Sequence, residues 1–355
     1  MPKLSSVRRN VRRQRQKVHH PQANPVDLRD LTFPENSTKM ENGEEFLLYD
    51  SGPDDPERFL LLGTARNLEV LSQARSIFLD GTFKIVPELF YQLYTIHALT
   101  ASGFYVPCVM ALLPGKSNAL YARLFTKLKE LCPGADPAFA MLDFERAAMN
   151  AVAASFPNIE VTGSFYHLSQ CIYRKVQAEG LQNRYQESEE FAVHVRMIAA
   201  LAFVPLRDVV RAFEELQEHV LREVDPVLMY FEDSYIGRKR GRHRVEPMFK
   251  HNIWNVNERA LNDLPKTNNN VEGWHRKMKT AMGASHPTIW CFLNIMKKEQ
   301  AITNLTLNQE AAGNVPDKPR KQYKLCAQRI KVLVETYSPD NIINFLRGVS
   351  HNLSF

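Results

Sequence analysis

Residues 76–83, SIFLDGTF, and residues 138–145, AFAMLDFE, each carry an apolar run into an aspartate. Asp80 follows Ser76-Ile77-Phe78-Leu79 and Asp143 follows Ala138-Phe139-Ala140-Met141-Leu142. A carboxylate at the end of a buried strand is costly unless something compensates it, and a divalent cation is the usual compensation. What lies between and around these two runs decides the fold. A helix-like stretch (Leu68 to Arg75) precedes the strand at 76–80. Two strands with β-rich content follow, Tyr91 to Leu99 and Tyr105 to Leu113, with Thr100-Ala101-Ser102-Gly103 as the hairpin turn. Ser117 to Leu131 carries Leu120, Phe125, Leu128 and Leu131 at helical spacing, with Ser117 as N-cap and Pro133-Gly134 beyond its end. Strand 138–142, a helix from Glu145 to Ser155, a short strand Ile159 to Thr162 and a helix from about Tyr166 complete the order.

Three strands, then helix, strand, helix, strand, helix is the order of a ribonuclease-H-like α/β fold. The first and fourth strands are expected side by side and parallel, because the helix between them makes a right-handed crossover. That places Asp80 and Asp143, read as the last residues of those strands, at one sheet edge, where open α/β sheets keep their sites. From Tyr166 to about Met229 the chain reads as helical without strand alternation, a helical insertion into the core fold. Four parts are expected: a basic arm and linker over residues 1–66, the first part of the core over 67–178, a helical insertion with a basic loop over 179–262, and the completion of the core with C-terminal helices over 263–355.

A third carboxylate, Glu272, opens an amphipathic stretch directly after Thr267-Asn268-Asn269-Asn270. With Asn270 as N-cap, Glu272 falls in the first turn, where the helix dipole favours negative charge. Val271, Trp274, His275 and Met278 form one face of that helix; Glu272, Arg276 and Lys279 share the other. A carboxylate beside two cations fits a metal site flanked by phosphate contacts, and equally an ordinary i, i+4 ion pair.

The 355 residues, 44% hydrophobic and 24% charged, have the make-up of an ordinary globular protein, with no apolar run long enough to span a membrane. Five scattered cysteines without a C-x-x-C argue against a disulfide framework and against a zinc finger of the usual spacing. The net charge is +6, yet residues 1–26 alone hold seven basic residues (Lys3, Arg8, Arg9, Arg12, Arg13, Arg15, Lys17) and no acidic one. The remainder is therefore near neutral, and the basicity is a local arm. Such an arm binds phosphates, directs nuclear import or is a solvated tail. A second basic run, Gly237-Arg238-Lys239-Arg240-Gly241-Arg242-His243-Arg244, reads as a phosphate-contacting loop.

The segments FLDGTFKIVPELFYQLYTIHA (78–98), MLDFERAAMNAV (141–152), GSFYHLSQCIYRKVQ (163–177) and TNNNVEGWHRKMK (267–279) resemble the transposases of Mutator-like elements, closest to the animal branch that often carries a FLYWCH-type zinc finger. The resemblance implies a DDE triad, carried over as Asp80, Asp143 and Glu272. It implies a two-metal site holding Mg²⁺ or Mn²⁺, and cleavage and strand transfer on DNA, with transposon ends and target as partners. It also implies homo-oligomers when active and a nuclear location. The family commonly has a Cys-x-x-His element after the second aspartate; here His167 is present and Ser164 stands at the cysteine position, with Cys171 one turn further on. His167 and His275 are accessory candidates. The chain starts in the basic segment with no finger before it, as expected of a truncated or decayed copy or of a domesticated protein, and the alternative function is a domesticated, catalytically inactive DNA-binding or regulatory protein.

Overall fold

The computed structural model describes residues 23–241, 243–316 and 321–355. Seven strands form one mixed sheet: β1 (Leu47–Asp50), β2 (Leu60–Leu62), β3 (Ser76–Thr82), β4 (Gln92–Leu99), β5 (Tyr105–Leu113), β6 (Phe139–Leu142) and β7 (Glu160–Gly163). Their order across the sheet is β1-β2-β5-β4-β3-β6-β7. The neighbours from β1 to β3 in that order pair antiparallel. With its flanking helices and the helical run between β7 and Asn269, the architecture is consistent with the ribonuclease-H-like fold read from the sequence. Strands β4 and β5 are buried on both faces, so they read as near-continuous apolar runs.

Two strand assignments differ from the sequence reading. The segment before residue 67, expected as a basic arm and linker, contributes β1 and β2, which extend the sheet beyond β5. Runs of four and three residues, one of them the fully buried Leu60-Leu61-Leu62, are too short to display alternation. Asp80 is also not the last residue of its strand, because β3 continues through Gly81 and Thr82, paired with Tyr94 and Leu93.

The chain divides into two compact units. Among the described residues, the first comprises 23–140, Arg146–Glu160 and Asn270–Pro316; the second comprises Met141–Glu145, Val161–Asn269 and 321–355. In the first unit, Leu60, Leu62, Leu93, Met110 and Leu112 of the sheet pack with Trp274, Met278, Met282, Phe292 and Met296 from two helices in one buried cluster. The helix Ala65–Gln73 is capped by Thr64, whose side chain accepts from the Asn67 backbone N–H. Asn67 donates to the Pro107 carbonyl and exchanges two hydrogen bonds with Gln300 of the long helix Ile289–Ala311, so its buried side-chain amide is satisfied. Ser117 caps the helix Asn118–Leu131, in agreement with the sequence reading.

The N-terminal segment of this unit is held by one buried guanidinium. Arg58 donates from Nε to Asp50 Oδ1 at 2.8 Å, and from one terminal nitrogen to the Leu28 and Leu31 carbonyls at 2.6 and 2.9 Å. Its other terminal nitrogen pairs with Asp50 Oδ2. Fork-to-carboxylate geometry and two carbonyl acceptors use most of the donors that burial takes from water.

In the second unit an aromatic cluster replaces the aliphatic one. Tyr235 packs on Phe231, Phe249 and Trp254, and Phe144 meets both Tyr235 and Phe249 edge-on. Trp254 Nε1 donates to the carbonyl of Tyr235, within a π-helical turn (Glu232–Ile236) that closes at Gly237 with φ +92°. No helix of the described residues is long and apolar enough to cross a membrane.

Two substitutions test this packing. Arg58→Ala leaves the Asp50 carboxylate without its counter-charge and is expected to cost about 3 kcal/mol, read from the urea-denaturation midpoint. At Gly163 an added Cβ would overlap the Phe144 ring. Gly163→Ala is therefore expected to destabilise by about 1–3 kcal/mol, and Gly163→Ala combined with Phe144→Leu to recover part of that loss.

Candidate metal centre

In the first unit Asp80 sits on β3 opposite Thr95 of β4, and its side chain is only 8% exposed. The backbone N–H of Gly81 donates to Asp80 Oδ1 at 2.8 Å. The helix Asn269–Met282 brings two more side chains to this point, and it carries Glu272 in its first turn. A carboxylate oxygen of Glu272 and one of Asp80 lie within 4.8 Å of each other. His275, one turn on, places Nδ1 3.4 Å from Asp80 Oδ2 and Nε2 3.0 Å from Thr95 Oγ1.

This helix starts earlier than the sequence indicates, at Asn269, so Asn270 is its second residue and not its cap. Trp274, Met278 and Met282 fix its rotation by entering the core cluster. Trp274 Nε1 donates to Glu299 Oε1 at 2.8 Å, and Lys277 pairs with the same buried carboxylate at 2.6 Å. Lys277 thus makes the ion pair with the helix behind, while Arg276 and Lys279 are exposed. His97, two residues beyond Thr95 on β4, is buried against the Trp274 ring at 5.3 Å. Burial, reinforced by the nearby His275, pushes its pKa well below the usual histidine range, so it packs as a neutral ring.

In the second unit Asp143 follows β6 directly and is half-exposed. Its Oδ1 accepts from the Phe144 backbone N–H at 2.6 Å, and its carbonyl accepts from the Glu145 N–H at 2.8 Å, forming a tight turn at the strand end. The Phe144 ring enters the aromatic cluster and anchors that turn. His167 lies on the helix Phe165–Ala178 with Nδ1 3.7 Å from Asp143 Oδ1. Cys171, one turn later, has its thiol pKa raised, first by burial and then by the Asp143 charge. Ser164, at the position where the resembled family has cysteine, is buried; its Oγ accepts from the Asn268 backbone N–H at 3.2 Å. Among the described residues, neither amide atom of the buried Asn268 side chain has a hydrogen-bond partner.

The basic loop of the insertion forms a two-stranded ribbon, Lys239–Arg240 with His243–Arg244. Arg238 pairs with Asp233, Lys239 with Glu214, and Arg244 with both Glu214 and Glu232. Three of the cations expected to meet phosphate are therefore held by carboxylates of their own unit, while Arg240 is exposed. Arg242 and the arm residues Arg8, Arg9, Arg12 and Arg13 lie outside the described residues. The sequence reading missed Thr95, which contacts His275, and Asn268. The alternation of β4 signals that Thr95 and His97 share a face, but only strand register says which residues they oppose.

The carboxylate oxygens of buried Asp80 and partly buried Glu272, with the His275 imidazole close by, form a donor set suited to a divalent cation. No curated protein matches the chain. The family model for the MULE transposase domain matches residues 76–171. The matched stretch runs from the first residue of β3 to Cys171, so it includes Asp80, Asp143 and His167 and ends before Glu272. By that match residues 76–171 are similar to a MULE transposase domain, and the family is one of transposases acting on DNA.

Proposed function

We propose that this protein is a transposase-like enzyme that cuts and joins DNA with a DDE triad of Asp80, Asp143 and Glu272. The observation that carries the reading is the approach of Asp80 and Glu272 to within 4.8 Å, between residues far apart in the chain. Two carboxylates that close repel one another, and a bound cation would offset the charge. Mg²⁺ or Mn²⁺ bound there would supply Lewis acidity toward the phosphate oxygens. The residues of this protein divide the remaining work. Asp80 and Glu272 would hold the cation through their carboxylates, and Asp143 is the third carboxylate of the proposed triad. Water attacks phosphorus in the first cut and a DNA 3′-hydroxyl attacks in joining; in both, the departing oxygen keeps the electron pair of the broken P–O bond.

DNA is gripped by exposed cations. Arg240, Arg276 and Lys279 are exposed, and the basic N-terminal arm adds Arg8, Arg9, Arg12 and Arg13. Lysine and arginine contacts to phosphate position the duplex without reading its sequence. The FLYWCH-associated animal branch, a nuclear location and assembly as a homo-oligomer on transposon ends go with this reading.

Asp143→Asn and Glu272→Gln keep shape and hydrogen-bonding capacity but remove the charge that holds a hard cation. Each is expected to lower Mg²⁺-dependent nicking by about a thousandfold, the scale on which one electrostatic catalytic group acts, with DNA affinity in metal-free buffer nearly unchanged. A wild-type protein that binds DNA yet never cleaves it with Mg²⁺ or Mn²⁺ would reassign the chain to a domesticated DNA-binding or regulatory role. Deleting residues 1–17 is expected to flatten the log–log salt dependence of duplex binding by about 0.9 for each phosphate that the arm neutralises. An unchanged slope, measured by titration across salt, would remove the arm from the DNA interface.

A further inference from the structure

We infer that His275, held by Thr95, is a positioning residue that fixes the Asp80 carboxylate for metal binding; this rests on the metal-site reading above. Two interactions meet at one carboxylate, and a third holds the ring that makes one of them. Asp80 Oδ1 accepts from the Gly81 N–H at 2.8 Å, Asp80 Oδ2 faces His275 Nδ1 at 3.4 Å, and His275 Nε2 lies 3.0 Å from Thr95 Oγ1. Thr95 is itself the register partner of Asp80 across β3 and β4, so strand pairing fixes both ends of the series.

The hydroxyl proton of Thr95 has two acceptors in reach, the Asp80 backbone carbonyl at 3.3 Å and His275 Nε2 at 3.0 Å. The imidazole nitrogen is the nearer. With Thr95 donating to Nε2, the Nδ1 side of the ring is the one that faces Asp80 Oδ2, at 3.4 Å. Asp80 Oδ1 accepts from the Gly81 N–H, Oδ2 has the imidazole beside it, and both oxygens keep lone pairs for a cation. Rotation about the terminal side-chain bond of an aspartate is otherwise soft, so a donor on one oxygen and a ring packed beside the other remove a freedom that metal binding would have to freeze.

The ring has little freedom to leave. His275 is about 10% exposed, and it sits between Trp274, whose ring lies 5.6 Å away, and β4. His97 backs the same indole as a neutral ring. Glu272 and His275 are three residues apart on one helix, so the turn that delivers the second carboxylate also delivers the residue that orients the first.

Mn²⁺ binding to the full chain, followed by electron paramagnetic resonance without DNA, separates this role from simple packing. His275→Ala is expected to weaken Mn²⁺ affinity about tenfold, the lower end of what removing an orienting partner costs a metal site. His275→Asn places an amide N–H where Nδ1 stood and is expected to restore most of that affinity. Thr95→Val, which keeps the strand and removes the donor to Nε2, is expected to weaken it in the same direction. Wild-type affinity in His275→Ala, or an equal loss in His275→Asn and His275→Ala, overturns the inference. If both histidine variants fail to fold, wild-type affinity in Thr95→Val overturns it. Asp80→Asn distinguishes the two levels: loss of Mn²⁺ binding there with His275→Ala unaffected sinks the positioning role alone. Retention of full affinity in Asp80→Asn sinks the metal-site reading itself.

Discussion

The rotation of one helix, Asn269–Met282, about its own axis is the constraint on which the candidate site of the first unit depends. Trp274, Met278 and Met282 are driven into the core with Leu62, Leu93 and Met110, and that burial leaves the adjoining face no choice of direction. The indole N–H cannot be buried unpaired, and Glu299 accepts it while Lys277 balances the Glu299 charge. With the apolar stripe committed, Glu272 and His275 are carried to Asp80. A helix turned by one residue, about 100°, would present Gly273 and Arg276 to β3 instead.

The second unit solves the same problem by different means. Asp143 lies just past the end of β6, in a turn that its own carboxylate and carbonyl tie to the next two backbone N–H groups. The turn is held by Phe144, whose ring fills the space beside Gly163 and meets Tyr235 and Phe249. A glycine on β7 is thus part of what aims an aspartate at the end of another strand. The large aromatic cluster suits this task because each ring buries a wide area while keeping few rotatable bonds.

Charge is arranged with equal economy. The acidic residues Glu214, Glu232 and Asp233 take up Arg238, Lys239 and Arg244, so a run that is strongly basic in the sequence is largely an internal ion-pair network in the fold. Arg244, with a side chain 14% exposed between two glutamates, stiffens the ribbon rather than projecting from it. The exposed Arg238 and Lys239 pairs add little stability each, but Glu214, shared by Lys239 and Arg244, couples an exposed pair to the part-buried one.

Much of the fold was legible in the sequence because its central elements are long and locally consistent. The run Tyr105–Leu113, the capped helix after Ser117 and the strands that lead to Asp80 and Asp143 announce themselves through apolar runs, caps and turns. Strands β1 and β2 did not, being too short for any period to show. Residue type likewise pointed to Asp80, Asp143 and Glu272, since carboxylates next to apolar runs demand an explanation. What the sequence could not determine is which residues meet. That Asp80 faces Thr95 and not its neighbours is a matter of strand register, and that His275 reaches both is a matter of helix rotation. In the same way, three cations of the basic loop take glutamate or aspartate partners between five and thirty positions away, which no motif in the loop foretells. Local patterns report whether a residue is buried; only tertiary packing chooses its partner, because a partner comes from a different element whose placement no local period encodes.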